Sequence, residues 1–497
     1  MSMRRSNAGG SRRAAVIDVG SNSVRLVMFE GLMRAPVPVF NEKVLCALGR
    51  DQGTTGRLHK SGIEMAIAAI GRFAKLAEAM KVDRLEAVAT AAVRDASDGP
   101  EFAAEVERRS GLKLRIISGK EEGRLSAEGV LSAFPGADGI ACDLGGGSLE
   151  VVALSKGAIG EQETLPLGPL RLASLDGRSK MKAAIEEALD RAPWLKSAGA
   201  RRDLHAVGGA WRNIARVHMA QNRYPLHVIH AYAISAEEAL EITEVMAHMS
   251  RNSLERIEGI SAKRLESLPA AALVLRRLVK RAKPARVVFS AFGLREGLIF
   301  QALSDEVRAL DPLIAAADQL VDAEGREPGL GKAVADWISP AFAGDSEPRR
   351  RLRQVAALLS DIGWREHPDY RADHAFFRTL RLPVVGIDHP GRVYLALAAY
   401  GRYKGDLDGS APDFVRKLLD PEATRHALAV GQALRLAHTF SAGTTGILAK
   451  GRLERTNATL TLQIDRYAGA LSADVVDRRL QALARTLDLK SRLSFGG

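Results

Sequence analysis

The sequence predicts an α/β fold of two related half-domains, followed by a mainly helical region. From Ala14 to Phe300, strand-like segments alternate with segments of helical periodicity, which is typical of α/β proteins. One strand–turn–strand pattern occurs twice, beginning at Ala14 and at Gly139. Beyond Asp305 helical periodicity dominates. A duplicated hairpin predicts two half-domains that face each other across a cleft, and we expect the function to lie in that cleft.

The two copies of the hairpin read AAVIDVGSNSVRLVMFE and GIACDLGGGSLEVVALS. Each copy consists of an apolar strand, a turn of small residues and a second apolar strand. Their alignment pairs Asp18 with Asp143, Gly20 with Gly145, Ser23 with Ser148, and Arg25 with Glu150. Because the second strand follows the turn directly, both copies are hairpins, whereas a Rossmann unit would place a helix there.

The remaining elements of this region follow from apolar periodicity and from helix-ending residues. Strands are predicted at residues 14–19, 24–30, 85–90, 113–117, 140–143, 149–154, 204–207 and 286–289. A helix is predicted over 61–81, where apolar residues recur at the helical period. Another is predicted after Asp98, a capping residue type, with Pro100 in its first turn and Gly111 beyond its end.

The C-terminal region is predicted to be mainly helical. Helical periodicity covers residues 306–323, 349–362, 374–380, 392–403, 421–438 and 473–487. Residues 458–464 alternate polar and apolar side chains and predict a short strand, and residues 342–348 predict a loop. We therefore expect a disordered basic arm at 1–13, half-domains at 14–130 and 131–305, and a mainly α-helical domain at 306–497.

Charge and composition narrow the classes of partner. The net charge of +12 favours polyanionic partners without naming one. No apolar run approaches the ~18 residues of a membrane span, and the N-terminus lacks the apolar segment of a secretory signal. The two cysteines, Cys46 and Cys142, form neither a disulfide framework nor a metal-binding pattern. We expect a cytoplasmic protein without a membrane partner or a specific nucleic-acid partner.

The glycine-rich turns are the candidate phosphate-binding sites. Backbone N–H groups of such turns can point into one concavity, and glycine lets phosphate oxygens approach closely. The candidates are Gly20, Ser21, Asn22, Ser23, Gly145, Gly146, Gly147 and Ser148 in the hairpins, and Gly208 and Gly209 in a strand-to-helix turn. Asp18 and Asp143 end the first strands, where carboxylates could hold Mg²⁺ or orient a water. The alternative is a pair of unrelated hairpins in one sheet protein.

Two more segments supply candidate catalytic groups. The segment ISGKEEGRL ends a strand and opens a helix with Glu121 and Glu122. Carboxylates there are commonly partners of the helix dipole, but beside a phosphate cleft one could be a general base. The segment ATAAVRDA supplies Arg94, whose forked guanidinium suits phosphate. The alternative for Arg94 is an ordinary surface arginine.

Six motifs, in this order, resemble the exopolyphosphatase / guanosine pentaphosphate phosphatase family: DVGSNSVRL, ATAAVRDA, ISGKEEGRL, DLGGGSLE, AVGGAWRNIA and FSAFGLREGLI. The resemblance implies an actin-like, sugar-kinase-like fold with duplicated ribonuclease-H-like half-domains. It also implies hydrolysis of the terminal phosphate of inorganic polyphosphate, or of the 5′ phosphate of guanosine pentaphosphate, with Mg²⁺ or another divalent cation. A homodimer is expected only by analogy of fold.

The resemblance also implies roles for individual residues. Glu122 matches the catalytic base, and Asp143 and Glu150 match acidic positions near the metal and the attacking water; Asp18 joins them as a candidate metal ligand. The phosphate-contacting positions are Ser21, Asn22, Ser23, Arg94, Gly145 to Ser148, Gly208 and Gly209. Gly123 stands where the family usually has Ala, and we expect little effect on the chemistry.

The C-terminal region resembles, more weakly, metal-dependent phosphohydrolase domains of the His-Asp type. Ser360, next to Asp361, stands where such a domain would have His, while His367 and His374 lie nearby in the sequence. With one ligand missing, we expect a structural or polyphosphate-guiding domain without a working metal site. Two other function classes stay open for the whole chain, an ATP-dependent kinase of the same fold and a non-catalytic sensor of polyphosphate or nucleotide.

Overall fold

The computed structural model describes residues 13–50, 52–175, 177–249, 267–471 and 473–496. Residues 1–12 of the expected basic arm lie outside these ranges. The chain divides into two compact units, Met1–Ala309 and Leu310–Gly497, each of which is described by itself. Across the described ranges, no helix combines the length and the apolar character needed to cross a membrane.

The first unit contains two sheets of the same design. Their strands are β1 (Ala14–Val19), β2 (Ser23–Phe29), β3 (Pro38–Leu45), β4 (Arg84–Ala89), β5 (Arg115–Ile116), β6 (Gly139–Leu144), β7 (Leu149–Ser155), β8 (Ala158–Leu165), β9 (Asp203–Val207), β10 (Tyr232–Ser235) and β11 (Arg286–Phe289). The orders are β3-β2-β1-β4-β5 and β8-β7-β6-β9-β11-β10. In each sheet an antiparallel meander of three strands is followed by a parallel strand beside the first. This confirms the predicted duplication.

The register of the two hairpins reproduces the sequence alignment. In the strand register, Asp18 of β1 lies opposite Arg25 of β2, and Asp143 of β6 lies opposite Glu150 of β7. The strands that the sequence analysis missed here, β3, β8 and β10, lie at or beside sheet edges. Almost all side chains of β3 and β8 are exposed or half-exposed. These strands therefore lack the buried apolar face by which a strand can be recognised from sequence.

The longer helices of the first unit are α1 (Lys60–Ala79), α2 (Gly99–Ser110), α3 (Gly119–Ala133), α4 (Arg178–Asp190), α5 (Gly209–Gln221), α6 (Ala236–His248), α7 (Leu268–Ala282) and α8 (Leu294–Gln301). Shorter helical segments are Gln52–Thr55, Ala91–Arg94, Pro169–Leu172, Leu195–Gly199 and Asp305–Ala309. Asp98 does precede α2, but its side chain makes no capping hydrogen bond and instead accepts from the Leu58 backbone N–H. The predicted capping interaction is therefore wrong, although the helix start is right.

Helices α3 and α8 pack together on one face of the first sheet. Leu125 of α3 and Leu298 of α8 pack against β1 and β2 of the first sheet. Farther along α3, Ala127 and Val130 pack against Ala141 and other residues of the second sheet. Because α3 touches both sheets, its first turn is held between the two hairpins. The outer faces are buried by α1 and α2 on the first sheet and by α4 to α7 on the second.

The second unit is mainly helical, as predicted, with a small sheet. Its longer helices are α9 (Pro312–Glu324), α10 (Leu330–Ile338), α11 (Glu347–Leu358), α12 (Arg371–Leu380), α13 (His389–Lys404), α14 (Pro421–Ser441) and α15 (Asp474–Thr486). Its shorter helical segments are Ser339–Phe342, Leu359–Asp361, Ser410–Val415, Arg416–Leu418, Thr445–Leu448 and Arg466–Leu471. Its sheet has the order β12 (Gly451–Arg455), β13 (Thr459–Ile464), β14 (Lys490–Phe495), of which the sequence predicted only β13.

The single helix predicted at 306–323 is wrong, because the structure has two helices there. The first ends before Asp311, and the Asp311 side chain then accepts hydrogen bonds from the backbone N–H groups of Leu313 and Ile314. Pro312, which follows the cap, starts the second helix because it has no N–H to lose. The sequence analysis missed this helix start because the Asp311-Pro312 pair lies inside a longer stretch of helical periodicity.

At the position of the His-Asp resemblance, an arginine links the polar groups. Arg326 donates to Asp361 at 2.6 Å and to His438 Nδ1 at 3.1 Å, and His438 Nε2 lies 2.9 Å from Ser360 Oγ. Burial, with the positive charges of Arg402 and Arg326, holds the pKa of His438 well below its usual value. His367 and His374 lie apart from this cluster, half or more exposed, beside Asp369 and Glu366.

Candidate active site

The two hairpin turns have the same backbone structure and touch each other. Gly20 N–H donates to Ser23 C=O at 3.0 Å, and Gly145 N–H donates to Ser148 C=O at 3.0 Å. A Cβ atom at Gly146 would lie 2.9 Å from the Cβ of Ser21, so only glycine lets the turns approach this closely. The two turns that the sequence analysis predicted to bind phosphate therefore pack directly against each other.

A cavity of about 230 Å³, here called the front cavity, opens beside these turns. The predicted site residues that line it are Asp18, Gly20, Ser21, Asn22, Ser23, Asp143, Gly145, Gly146, Gly208 and Gly209. Gly208 has a φ of +114°, and a Cβ there would meet the Leu144 carbonyl oxygen at 2.5 Å. Only glycine fits this position, which directs the start of α5 toward the cavity.

Glu122 lies in the first turn of α3. Ser118 caps this helix, because its hydroxyl accepts from the Glu121 N–H at 3.2 Å. The Glu122 side chain is almost fully buried, and Arg94 Nη1 donates to its Oε2 at 2.7 Å. Burial raises the pKa of Glu122 to about 7, Arg94 opposes that rise, and the charges of Asp143 and Asp18 add to it. A carboxyl group with a pKa near neutrality is suited to accept a proton from water.

The acidic residues of the second hairpin lie close to Glu122. Ser126, one helical turn after Glu122, donates to Asp143 Oδ2 at 2.6 Å. Glu150 is about 1 % exposed, and within the described residues neither of its carboxylate oxygens has a hydrogen bond of ordinary geometry. Its pKa is raised well above the usual value by burial and by Glu122, while the neighbouring Ser148 hydroxyl opposes the rise.

The donor set of this cluster fits a divalent cation. Asp18 and Asp143 line the same cavity, and burial raises the pKa of both; each also feels neighbouring carboxylates. Among the described side chains, no three His, Cys, Asp or Glu form a complete metal site. Mg²⁺ commonly takes one or two carboxylates and completes its shell with phosphate oxygens and waters. Asp18 and Asp143 meet that requirement, and Glu150 lies close enough to Asp143 to feel its charge.

Four positively charged side chains, here together called the cationic wall, line the front cavity, and the sequence analysis assigned no role to most of them. They are Arg25, Lys43, Arg212 and Arg295. Arg295 Nε lies 3.8 Å from Asp18 Oδ2, and Arg212 Nη1 donates to the Ala291 carbonyl at 3.2 Å. Burial and the charge of Arg295 lower the pKa of Arg212 to about 10, which still leaves it charged at neutral pH. Arg212 and Arg295 stand in the quoted motifs AVGGAWRNIA and FSAFGLREGLI, which could have revealed them.

A second cavity, here called the rear cavity, has a volume of about 420 Å³. Two predicted phosphate-binding residues, Arg94 and Ser148, line this cavity and not the front one. Glu122, Gly147 and Glu150 line neither cavity, although Arg94 connects Glu122 to the rear one. The predicted site residues are therefore distributed around two cavities, each of which is lined by part of the Gly145–Ser148 turn.

Comparison with known proteins gives matches to both parts of the chain. The model of the Ppx/GppA phosphatase family matches residues 27–306, and the model described as Exopolyphosphatase, C-terminal matches residues 313–494. Exopolyphosphatase 1 of Mycobacterium leprae is 29% identical over 316 residues, covering 59% of this chain and 90% of that protein. Guanosine-5'-triphosphate,3'-diphosphate pyrophosphatase of Aeromonas hydrophila is 25% identical over 484 residues, covering 92% of each. The crystal structure of an exopolyphosphatase-like protein is 25% identical with a TM-score of 0.52, covering 59% of this chain and 98% of that one.

Proposed function

Because the chain belongs to the Ppx/GppA phosphatase family, we propose that it is an exopolyphosphatase that removes terminal phosphate from inorganic polyphosphate. One observation carries the proposal. Glu122, buried and held by Arg94 at 2.7 Å, lies in the first turn of α3, a helix that packs against both of the sheets that carry the matched turns. A proton acceptor near turns that can hold phosphate oxygens is what hydrolysis of a phosphoric anhydride requires, and this arrangement supports the proposal.

In the proposed reaction, Glu122 takes a proton from a water while the water oxygen bonds to the terminal phosphorus. The bond from that phosphorus to the bridging oxygen breaks, and the bridging oxygen stays with the shortened chain. Orthophosphate and polyphosphate shorter by one unit are the products. Arg94 holds the Glu122 carboxylate in place and opposes the rise of its pKa, since the ion pair favours the charged form.

The rest of the site holds and neutralises the phosphate chain. The turns that begin at Gly20 and Gly145 would hold the terminal phosphate through backbone N–H groups other than those of the two glycines, which donate within the turns. The cationic wall would bind the following units. Asp18 and Asp143 would hold Mg²⁺, which when bound neutralises charge on phosphoryl oxygens. Ser126 orients Asp143 for that task through its 2.6 Å hydrogen bond.

The composition of the front cavity favours polyphosphate over guanosine pentaphosphate. Four cations line it, while among the described residues that line it none is aromatic. A run of negative charges gains from four cations, whereas a guanine base gains from an aromatic face, on which it can stack. The guanosine pentaphosphate reaction remains the second candidate, because the relative of similar full length is named for a guanosine nucleotide.

A phosphate-release assay with two substrates tests the proposal. Purified protein receives long-chain polyphosphate or guanosine pentaphosphate, each with Mg²⁺ or with a chelator. We expect release that depends on the cation and a larger kcat/KM for polyphosphate. A larger kcat/KM for the nucleotide would favour the second candidate. Phosphate transfer to a sugar would identify a kinase, and binding of polyphosphate without turnover would identify a sensor. The expected homodimer and cytoplasmic location remain predictions.

A further inference from the structure

We propose that the rear cavity is the exit site for the orthophosphate product. The proposal rests on the proposed function, because it concerns the fate of the phosphate that the reaction releases. It gives each cavity a separate task. The front cavity keeps the polyphosphate chain, and the rear cavity takes up the orthophosphate and passes it to solvent.

The two cavities lie on either side of the same turn. Gly145 and Gly146 line the front cavity, while Ser148, at the end of that turn, lines the rear one. A second segment is divided in the same way, since Leu170 lines the front cavity and Arg171 the rear one. A phosphate held at the Gly145–Ser148 turn is therefore adjacent to both cavities.

The rear cavity presents the chemistry of an anion site. Its cations are Arg94, Lys120, Arg171 and Arg191, against the acidic residues Asp95 and Glu163. Arg94 and Arg171 face Asp95, and Arg191 pairs with Glu163 at 2.7 Å. Lys120 forms no ion pair with any described residue and is exposed. The cavity therefore has an excess of positive charge to offer a small anion.

A buried hydroxyl in the rear cavity also lacks a partner. Thr164 Oγ1, which belongs to a residue that lines this cavity, is buried and has no hydrogen bond within the described residues. Ser148, which is 3 % exposed, lines the cavity as well, and its hydroxyl interacts with the Glu150 carboxylate. Buried hydroxyls are normally satisfied, so the Thr164 hydroxyl in a cationic cavity indicates a ligand with hydrogen-bonding oxygens. Orthophosphate, tetrahedral and rich in acceptors, is such a ligand.

The direction of the reaction leads the product to this side. In phosphoryl transfer the attacking and leaving oxygens lie roughly in line with the phosphorus. Glu122 activates the water, and its partner Arg94 lines the rear cavity, whereas the bridging oxygen leaves with the chain in the front cavity. The new orthophosphate therefore forms nearest to Arg94. A separate exit lets the chain stay bound while the product departs, so successive units can be removed in one encounter.

Product inhibition distinguishes a separate exit from a shared one. If orthophosphate binds in the rear cavity, it inhibits wild-type polyphosphate hydrolysis noncompetitively, because the chain and the product occupy different places. In Lys120→Glu the Ki for orthophosphate should rise about three- to tenfold, with a smaller change in KM for polyphosphate, as expected for reversing one surface charge beside an anion. Lys120→Arg should restore the wild-type Ki.

Lys113→Glu is the matched control. Lys113 is an exposed lysine of the same unit that lines neither cavity, so the same charge reversal should leave Ki and KM unchanged. Purely competitive inhibition, or an unchanged Ki in Lys120→Glu, would overturn the proposal. If wild-type protein releases no orthophosphate from polyphosphate, the proposed function itself has failed, which separates the two results.

Discussion

Replacing Glu122 with Gln tests the assignment of the general base. In the wild-type protein, Arg94 Nη1 donates to Glu122 Oε2 at 2.7 Å. The glutamine amide has nearly the same shape as the carboxylate and keeps one oxygen that can accept this hydrogen bond. It cannot take a proton from water at neutral pH. Loss of general-base catalysis costs a factor of about 10² to 10⁴, so we expect phosphate release to fall by that much. Binding of polyphosphate should persist, because the turns and the cationic wall are unchanged.

The pKa of Glu122 also fixes the pH dependence of the wild-type protein. With a pKa of about 7, only about a tenth of the Glu122 side chains are ionised at pH 6, so kcat/KM should be about tenfold below its plateau. Asp143 and Asp18 contribute to the raised pKa of Glu122. Higher Mg²⁺ concentrations, which neutralise them, should therefore move the acid limb to lower pH. The residual activity of Glu122→Gln should lack this limb.

The assay is continuous orthophosphate release from polyphosphate of defined length, measured from pH 5.5 to 9. Glu121→Gln provides the control, because Glu121 precedes Glu122 on α3 but is half-exposed and pairs with Arg115. It should behave as wild type, and thermal unfolding should show both variants folded. The reasoning is refuted if Glu122→Gln retains turnover within tenfold of wild type, or if it keeps the acid limb.

Three further substitutions test other parts of the structure. Arg212→Ala should raise KM for polyphosphate about 10- to 100-fold, the value of one charge-assisted hydrogen bond, while Arg216→Ala, exposed on the same helix, should not. Ser126→Ala should raise the Mg²⁺ concentration for half-maximal activity about tenfold, since Asp143 loses its orienting bond; an unchanged Mg²⁺ curve counts against Asp143 as a ligand. His205 is buried, and burial lowers its pKa from 6.5 to about 4. Between these two pH values the unfolded state is protonated while the folded state is not, so the free energy of unfolding decreases as the pH drops from 6.5 to 4. Between pH 7 and pH 4.5, the free energy of unfolding in urea should fall by roughly 2 kcal/mol less for His205→Leu than for wild type; equal losses would contradict this.

The buried part of the fold was predictable because its strands carry a continuous apolar signal. The strand at 286–289 and the two hairpins follow from such runs. β3 and β8 could not be found in this way, because edge strands with exposed side chains have no apolar stripe. The break at Asp311 was readable from its Asp-Pro pair, but helical periodicity on both sides concealed it.

The candidate site was predictable where it depends on local pattern. Asp18 and Asp143 lie at equivalent ends of matched hairpins, so sequence alignment alone placed them together. Ser126 could have been found from its spacing of four residues after Glu122, which puts both on one helix face. The pairing of Glu122 with Arg94 and the division of the site between two cavities could not be predicted, because they depend on how separate elements pack.

The most direct test of the account is a single turnover of polyphosphate in ¹⁸O-labelled water. Attack of water on the terminal phosphorus puts one solvent oxygen into each released orthophosphate and none into the shortened chain. Mass spectrometry of both products reads this out, with Glu122→Gln run alongside. The account predicts labelled orthophosphate in the wild type and almost none in the variant over the same time. Label in the polyphosphate chain, or no orthophosphate from the wild type, would contradict it.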